Sequence, residues 1–452
     1  MTETRSPGRP AYDLLGVGVG PANLSVAALL DPSDEFKARF FELRDEFNWH
    51  PGLMLPEATI QVSFLKDLVT LADPTNPLSF LSFLHSERDL YSFINADFDF
   101  VSRREFNEYL RWACRRLESL QFSTRVGDVD FKNDRFVVET SAGTHESQHL
   151  VLGKGQRRFL PPNVETHLGD TVFHASEYML RKPDFSGKRV AVVGGGQTGG
   201  ELVLSLLTDA THCPSRVTWI SRRMNFHPMD ASAFANELYT PEYSDYFGKL
   251  PLEVRTQLLH DQKLTSDGIN EDLLKHIYQR LYEIRFLDKE IDRWRLCPGR
   301  EMVGLEPGDD GWVVSTYQPR ADNYEMMEAD IVICCTGYTR DFPPCLAPMR
   351  NRIPLEGGEF VVQEDYSIKW DGPAENRIYV QNAARLARGV ADPNLSLNAW
   401  RAARIINSIA GRQVYDIEGA SCMVDWGPAP TPGYTRDSAP RKPGMQRARP
   451  KA

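Results

Sequence analysis

Two stretches of the chain share one pattern, in which a short unbroken apolar run leads into a glycine-rich turn and then into a segment with apolar residues at helical spacing. In "YDLLGVGVGPANLSVAALL" the run over Asp13–Val17 predicts a buried strand and "LSVAALL" the start of a helix. The second, "KRVAVVGGGQTGGELVLSLL" from Lys188 to Leu207, reads the same way. Each is followed by another apolar run, "ARFFEL" and "SRVTWISRR", expected as the next strand. Two further apolar runs end in glycine. "HLVLGKGQRRFLPP" (149–162) is expected to leave the first domain, and "ADIVICCTGYTRDFPP" (329–344) to return to it. Helical spacing recurs through "PEYSDYFGKLPLEVRTQLLHDQKLTSDGINEDLLKHIYQRLYEI", which predicts a small, mostly helical region of about 231–285. By contrast, "WHPGLMLPEATIQVSFLKDLVT" carries too many Pro and Gly breaks for one regular element.

This alternation predicts an α/β fold with two Rossmann-like dinucleotide-binding domains. Residues 12–160 and 326–425 would form the first, split by an inserted second domain over 161–325. Residues 1–11, and a basic tail over 426–452 rich in Pro, Gly and Arg, are expected to be disordered.

Composition narrows the function classes. At 452 residues, 41% hydrophobic and 25% charged, the chain is long enough for two or three ordinary globular domains. It has no apolar run near the roughly 18 residues a membrane span needs. The start, "MTETRSPGRPAYD", has no apolar signal core, so a cytoplasmic location is expected. A net charge of −10 argues against a nucleic-acid partner. The seven cysteines are scattered without C-x-x-C spacing, which points to reduced thiols and no metal site.

The two turns differ in chemistry. In the first, Gly16, Gly18 and Gly20 precede Pro21 and Asn23, and Glu42 ends the next strand about 20 residues on, where an acid accepts from ribose hydroxyls. The second has Gly194, Gly196 and Gly199 around Gln197 and Thr198. Its next strand ends in Ser221-Arg222-Arg223, a hydroxyl and two guanidiniums suited to a 2′-phosphate. FAD at the first turn and NADPH at the second are therefore expected, and the Gly337 segment is expected to pass close beside the bound FAD.

At this point the chain resembles the flavin-dependent N-hydroxylating monooxygenases of siderophore biosynthesis, the lysine and ornithine N-monooxygenases. "GVGVGPANLS", "FNWHPGLMLPEATIQVSFLKDLVTLADPTNP", "VVGGGQTGGE", "FANELYTPEY", "KLTSDGI", "CCTGY" and "GVADPNLSLNAWRAARI" carry the resemblance, in family order, and "KLTSDGI" and "TPEY" are similar to its lysine branch. The resemblance implies that NADPH reduces FAD, that the reduced flavin takes up O₂ as a C4a-hydroperoxide, and that a neutral amine attacks it to give a hydroxylamine. L-lysine would be the amine, with cadaverine, putrescine and L-ornithine as alternatives and a homo-tetramer as a common assembly.

The resemblance also implies residue roles. Trp49, His50 and Pro51 would border the flavin, with Gln61 at its ring or at NADP⁺; Gln61 and His50 are the candidate catalytic side chains, although the flavin carries the chemistry. Lys66 would pair with the substrate's α-carboxylate. Asn236, and Ser266 or Asp267, would contact the substrate, and Leu395 and Ser396 would close over the reacting amine beside the flavin. Arg388 stands where many relatives have a histidine. Rival readings are a flavin disulfide reductase, for which the adjacent Cys334 and Cys335 are a poor redox pair, and a non-enzymatic flavin-bound redox protein.

Overall fold

The computed structural model describes residues 11–181, 183–419 and 422–427. The expectations for residues 1–10 and 428–452 fall outside these. The first sheet is built around Ala11–Val17, which pairs in parallel with Ala38–Phe41 on one side and Gly143–Leu152 on the other. Leu120–Gln121 extends one edge. Gly143–Leu152 first pairs antiparallel with Arg135–Thr140, itself in a hairpin with Val126–Lys132, and then takes Ile378–Val380 in parallel along its last residues.

The period of two along these strands splits their side chains between two cores. Leu14, Val151 and Tyr379 join a cluster with the helices Pro21–Leu30 and Asn398–Ala410, whereas Leu15, Leu150 and Ile378 face Leu346, Met349 and Ile353 on the opposite side. Burial on both faces is why the central strands read as continuous apolar runs.

The second sheet runs Trp294–Pro298, Arg216–Ser221, Arg189–Val193, Ile331–Cys334, Val172–His174, all parallel. The helices Gln197–Thr208 and Glu271–Tyr282 cover one face. An antiparallel sheet of Glu301–Gly308, Gly311–Gln318 and Asn323–Ala329 supplies Leu305, Val314 and Met327 to the other. This topology corrects one expectation: Ile331–Cys334 does not return to the first sheet but lies between Arg189–Val193 and Val172–His174 in the second. A four-residue run buried throughout suits the middle of either parallel sheet, and its sequence does not distinguish them. The crossing back comes later, at Tyr338–Thr339, which pairs antiparallel with Arg157–Arg158.

Residues 233–282 hold a succession of short helices, of which Glu271–Tyr282 packs into the second core through Ile277 and Leu281. The two halves are joined by a buried bidentate ion pair. Arg103, opening the helix Arg103–Cys114, donates through Nη2 and Nη1 to Glu201 Oε1 (2.7 Å) and Oε2 (3.0 Å) behind the second glycine turn. Among the described residues, no helix is long and apolar enough to cross a membrane.

Candidate active site

At the first turn each glycine meets a different constraint. A Cβ on Gly16 would lie 2.1 Å from Phe40, so this glycine serves strand packing. Gly18 has φ +84°, where L side chains are strained, and its Cβ would lie 2.7 Å from the Gly153 carbonyl oxygen. Gly20 caps the helix Pro21–Leu30, a Cβ there would meet nothing within 4 Å, and no side chain satisfies the first helical N–H groups. An uncapped helix start beside open space is an anion cradle. Asn23 is buried and faces inward, its Nδ2 donating to the carbonyls of Val17 (3.2 Å) and Gly18 (2.8 Å), so it fixes the turn from behind. Glu42 Oε2 accepts from Val19 N at 2.9 Å and Oε1 from Arg44 N at 3.1 Å, which holds the carboxylate beside the turn with lone pairs to spare. These residues fit a dinucleotide with its pyrophosphate at Gly20 and a ribose at Glu42.

The irregular segment after the second strand is pinned by the helix Arg103–Cys114. Asn107 Oδ1 accepts from Trp49 N at 2.7 Å, and the Trp49 ring meets Phe106 edge-on at 5.7 Å and His50 at 5.3 Å. His50 has a left-handed backbone (φ 48°), and its carbonyl accepts from Leu53 N to start the Pro51–Leu53 turn. His50 is exposed as a residue, yet the protein packed around its ring, then Arg103 and Arg44, lower its pKa to about 4. It is neutral at pH 7 and too weak a base to take a proton efficiently there. Gln61 Nε2 is buried without a partner, an orphan donor in the segment expected at the flavin ring.

Lys66 Nζ donates to Ser396 Oγ at 3.1 Å, joining residues on opposite ends of the first domain. Ser396 Oγ in turn donates to Asn394 Oδ1 at 2.7 Å. The neighbouring Asp67 does not pair with Lys66: it is buried and accepts from Val69 N, Thr70 N, Thr70 Oγ1 and Phe80 N. Among the described residues no carboxylate forms an ion pair with Lys66, and burial lowers its pKa. Leu395 is half-buried against the first core.

The second turn opens on a cavity of ≈ 820 Å³. A Cβ on Gly196 would find only the Asp267 carbonyl, at 3.9 Å, and the helix Gln197–Thr208 starts there uncapped. Gly199 is packed against Gly194, while Thr198 lines the cavity. Gln197 is engaged on both sides, donating to Glu201 Oε1 (2.9 Å) and accepting from Asn270 N (2.8 Å). Buried Ser221 Oγ accepts from Arg223 N at 3.2 Å, and Arg223 Nη1 donates to the Asp267 carbonyl at 2.7 Å. Arg222 is exposed and has no partner among the described residues. Gly337, expected beside the FAD, lines this second-turn cavity with φ +78°, its carbonyl accepting from Phe159 N and bonded to His174 Nε2 at 3.1 Å. An uncapped helix start and an unpaired guanidinium fit a phosphorylated dinucleotide.

Ser266 and Asp267 line this same cavity, with no hydrogen bond or ion pair to Lys66. Asn236 ends the one-turn helix Ala233–Asn236, is exposed, and donates to the Ala231 carbonyl at 3.4 Å. Of the expected substrate contacts, then, the structure joins Lys66 directly to Ser396 alone.

Residues 10–340 match the family of L-lysine 6-monooxygenase/L-ornithine 5-monooxygenase. The chain belongs to this family. It is 41% identical to the L-lysine N6-monooxygenase of Escherichia coli over 92% of its own length and 99% of that protein, and 30% identical to a putrescine N-hydroxylase of Shewanella oneidensis over 91% and 83%. Among solved structures, the FAD-bound cadaverine monooxygenase of Erwinia amylovora superposes with a TM-score of 0.87 at 32% identity, covering 93% of this chain and 99% of that one. An ornithine N-hydroxylase of Kutzneria sp. 744, with reduced FAD, NADP⁺ and L-ornithine, gives 0.82 at 28% identity, covering 89% and 99%. Relatives within the flavin N-monooxygenases thus act on different amines, and the residues that choose among them become the question for this member.

For a lysine/ornithine monooxygenase, Arg388 has a definite place. Its guanidinium, 3% exposed as a residue, pairs with Asp245 (3.2 Å), donates to the Gln363 carbonyl (2.8 Å) and lies over the Tyr366 ring (5.4 Å). Asp245 also binds Arg404, so Asp245 ties the helix Pro241–Gly248 both to Asn398–Ala410 and to Arg388. Four further cations line the cavity beyond those expected from the sequence, Lys263, Arg300, Arg340 and Arg385. Lys263 stands inside "KLTSDGI" and was readable from its neighbours there; Arg385 carries no local signal. Cys334 and Cys335 are free, and burial raises both thiols, Cys334 to about 12, which leaves no reactive thiolate for a disulfide reductase.

Proposed function

We propose that this chain is an FAD- and NADPH-dependent N-hydroxylase of L-lysine, forming N6-hydroxy-L-lysine for a siderophore or related N–O compound. The observation that carries the substrate choice is Lys66, a half-buried ammonium that among the described residues is bonded to a hydroxyl alone, with the adjacent Asp67 engaged by four other donors. An ammonium in that state calls for an anion, and the α-carboxylate of an amino acid supplies one. Likeness to the Escherichia coli lysine enzyme favours the longer side chain over ornithine.

The reaction balances as amine, O₂, NADPH and a proton giving hydroxylamine, NADP⁺ and water. FAD, when bound, supplies the oxygen chemistry, with NADPH as its reductant. The chain's part is binding and exclusion. Gly20, Glu42 and the helix start would hold the flavin nucleotide, and Trp49, His50, Pro51 and Gln61 would border its ring. Lys66 would fix the carboxylate so that the substrate's far amine lies near Leu395. An ε-amine with a pKa of ~10.4 is neutral in about one molecule in 250 at pH ~8, a selection costing roughly 3 kcal/mol, which apolar surroundings at the reacting amine would reduce.

Amine-dependent hydroxylamine formation coupled to NADPH oxidation, compared across L-lysine, L-ornithine, cadaverine and putrescine, tests this. L-lysine is expected to give the highest kcat/KM; a preference for either diamine overturns the carboxylate argument. At the second turn, Arg222→Ala is expected to raise the KM for NADPH about tenfold, the loss of one charge-assisted contact of ~1.4 kcal/mol, and to leave the KM for NADH unchanged. Equal losses with both cofactors would remove Arg222 from the 2′-phosphate.

A further inference from the structure

The cavity of the second glycine turn is bounded partly by the other domain. Arg385 opens the one-turn helix Arg385–Arg388, which follows Ile378–Val380 of the first sheet, yet it lines the same cavity as Gly196, Arg222 and Lys263. Its guanidinium has no hydrogen bond or ion pair among the described residues, and its Nε is enclosed without a partner, so the stem is held by packing while the Nη groups stay open.

The backbone that carries Arg385 is anchored on both sides. Ala384 N donates to Asp392 Oδ2 at 2.8 Å, and Arg255 Nη1 donates to the Leu386 carbonyl at 2.8 Å. A cation held in place without an anion is preorganised for one. Three carboxylates line the cavity with it, and none forms an ion pair with Arg385: Glu301 is exposed to solvent, and the other two are engaged elsewhere. Asp267 is engaged by Arg223, and Glu359 by Arg340 at 2.9 Å. Lys263 shares the deficit: desolvation lowers its pKa first, and Arg223, Arg222 and Arg385 lower it further against the pull of Asp267.

We propose that Arg385 is a nucleotide-binding residue that reaches from the flavin-side domain to a phosphate of NADP(H) and holds the dinucleotide across the domain boundary. The proposal rests on the NADPH reading of the second turn. It gives the first domain a direct hold on the nucleotide, in addition to the Arg103–Glu201 pair that joins the protein halves themselves.

The test is an equilibrium titration of the oxidised, FAD-loaded enzyme with NADP⁺, NAD⁺ and adenosine 2′,5′-bisphosphate, followed by calorimetry, for the wild type, Arg385→Ala and Arg385→Lys. Arg385→Ala is expected to raise the Kd of NADP⁺ at least tenfold, with partial recovery in Arg385→Lys and unchanged FAD content and melting temperature. Loss confined to NADP⁺ and the bisphosphate assigns the 2′-phosphate; equal loss for NAD⁺ assigns the pyrophosphate. A Kd for NADP⁺ within twofold of wild type in both variants overturns the proposal. Absence of NADP⁺ binding by the wild type itself would instead remove the NADPH reading on which it rests.

Discussion

Replacing Lys66 by alanine is expected to raise the KM for L-lysine about 30- to 150-fold while FAD content and amine-independent NADPH oxidation stay at wild-type levels. The magnitude follows from removing one partner of a hydrogen-bonded charge pair, which costs about 2–3 kcal/mol where the site is half-buried, at tenfold per 1.4 kcal/mol. Because Asp67 accepts four hydrogen bonds of its own, the substitution unpairs no internal carboxylate and the fold keeps its contacts. Cadaverine supplies the control, since a diamine brings no carboxylate and its KM should fall or hold. The pH dependence carries the same signature. Burial lowers the Lys66 pKa in the free enzyme, and a bound carboxylate favours the ammonium, so affinity for L-lysine is full below that lowered pKa and is lost as pH rises through it. Steady-state kinetics at several pH values should show KM for L-lysine climbing at alkaline pH in the wild type and flat in Lys66→Ala. A KM unchanged by the substitution would take Lys66 out of the substrate site.

The features legible in the sequence are those whose chemistry is local. Gly18, Gly20 and Glu42 form one strand–turn–helix–strand unit, and Gly196 with Ser221 and Arg222 forms another, so spacing alone places their groups together. Contacts between distant segments left no such trace. Lys66 meets Ser396 across 330 residues, and only the resemblance to a family put both in one pocket. The strand Ile331–Cys334 has the apolar run of a central strand but no mark of which sheet will hydrogen-bond it. Asn23, expected at the cofactor by its place in the motif, turns its amide to the Val17 and Gly18 carbonyls instead, because the third motif position faces the strand end and not the ligand. Arg385 was invisible for the same reason as Lys66, since its neighbours in space come from the inserted domain.

Arg401→Met is expected to cost about 3–5 kcal/mol of stability, the largest effect of any single change considered, because it strands a buried carboxylate. Arg401 and Asp392 side chains are 1% and 0% exposed and pair at 2.9 Å. Arg401 Nη1 also donates to the Asp392 carbonyl at 2.7 Å, and its Nη2 to Asn398 Oδ1 at 2.6 Å and Asn382 Oδ1 at 3.2 Å. Asp392 Oδ2 holds Ala384 N, one residue before Arg385, and Asn394, two residues beyond Asp392, holds Ser396. One ion pair therefore sets the loop whose two ends face the nucleotide cavity and Lys66. Asp392→Leu combined with Arg401→Met leaves no unpaired charge and should recover part of the loss, a sign of coupling that independent packing defects would not give. Thermal unfolding followed by tryptophan fluorescence, with hydrogen exchange over residues 384–397, measures both parts. Arg401→Met should unfold earlier than the double variant and exchange faster over that loop, and it should weaken L-lysine and NADP⁺ together. Wild-type stability in Arg401→Met would mean that the pair does not hold the loop and that Ser396 and Arg385 are positioned by their own packing.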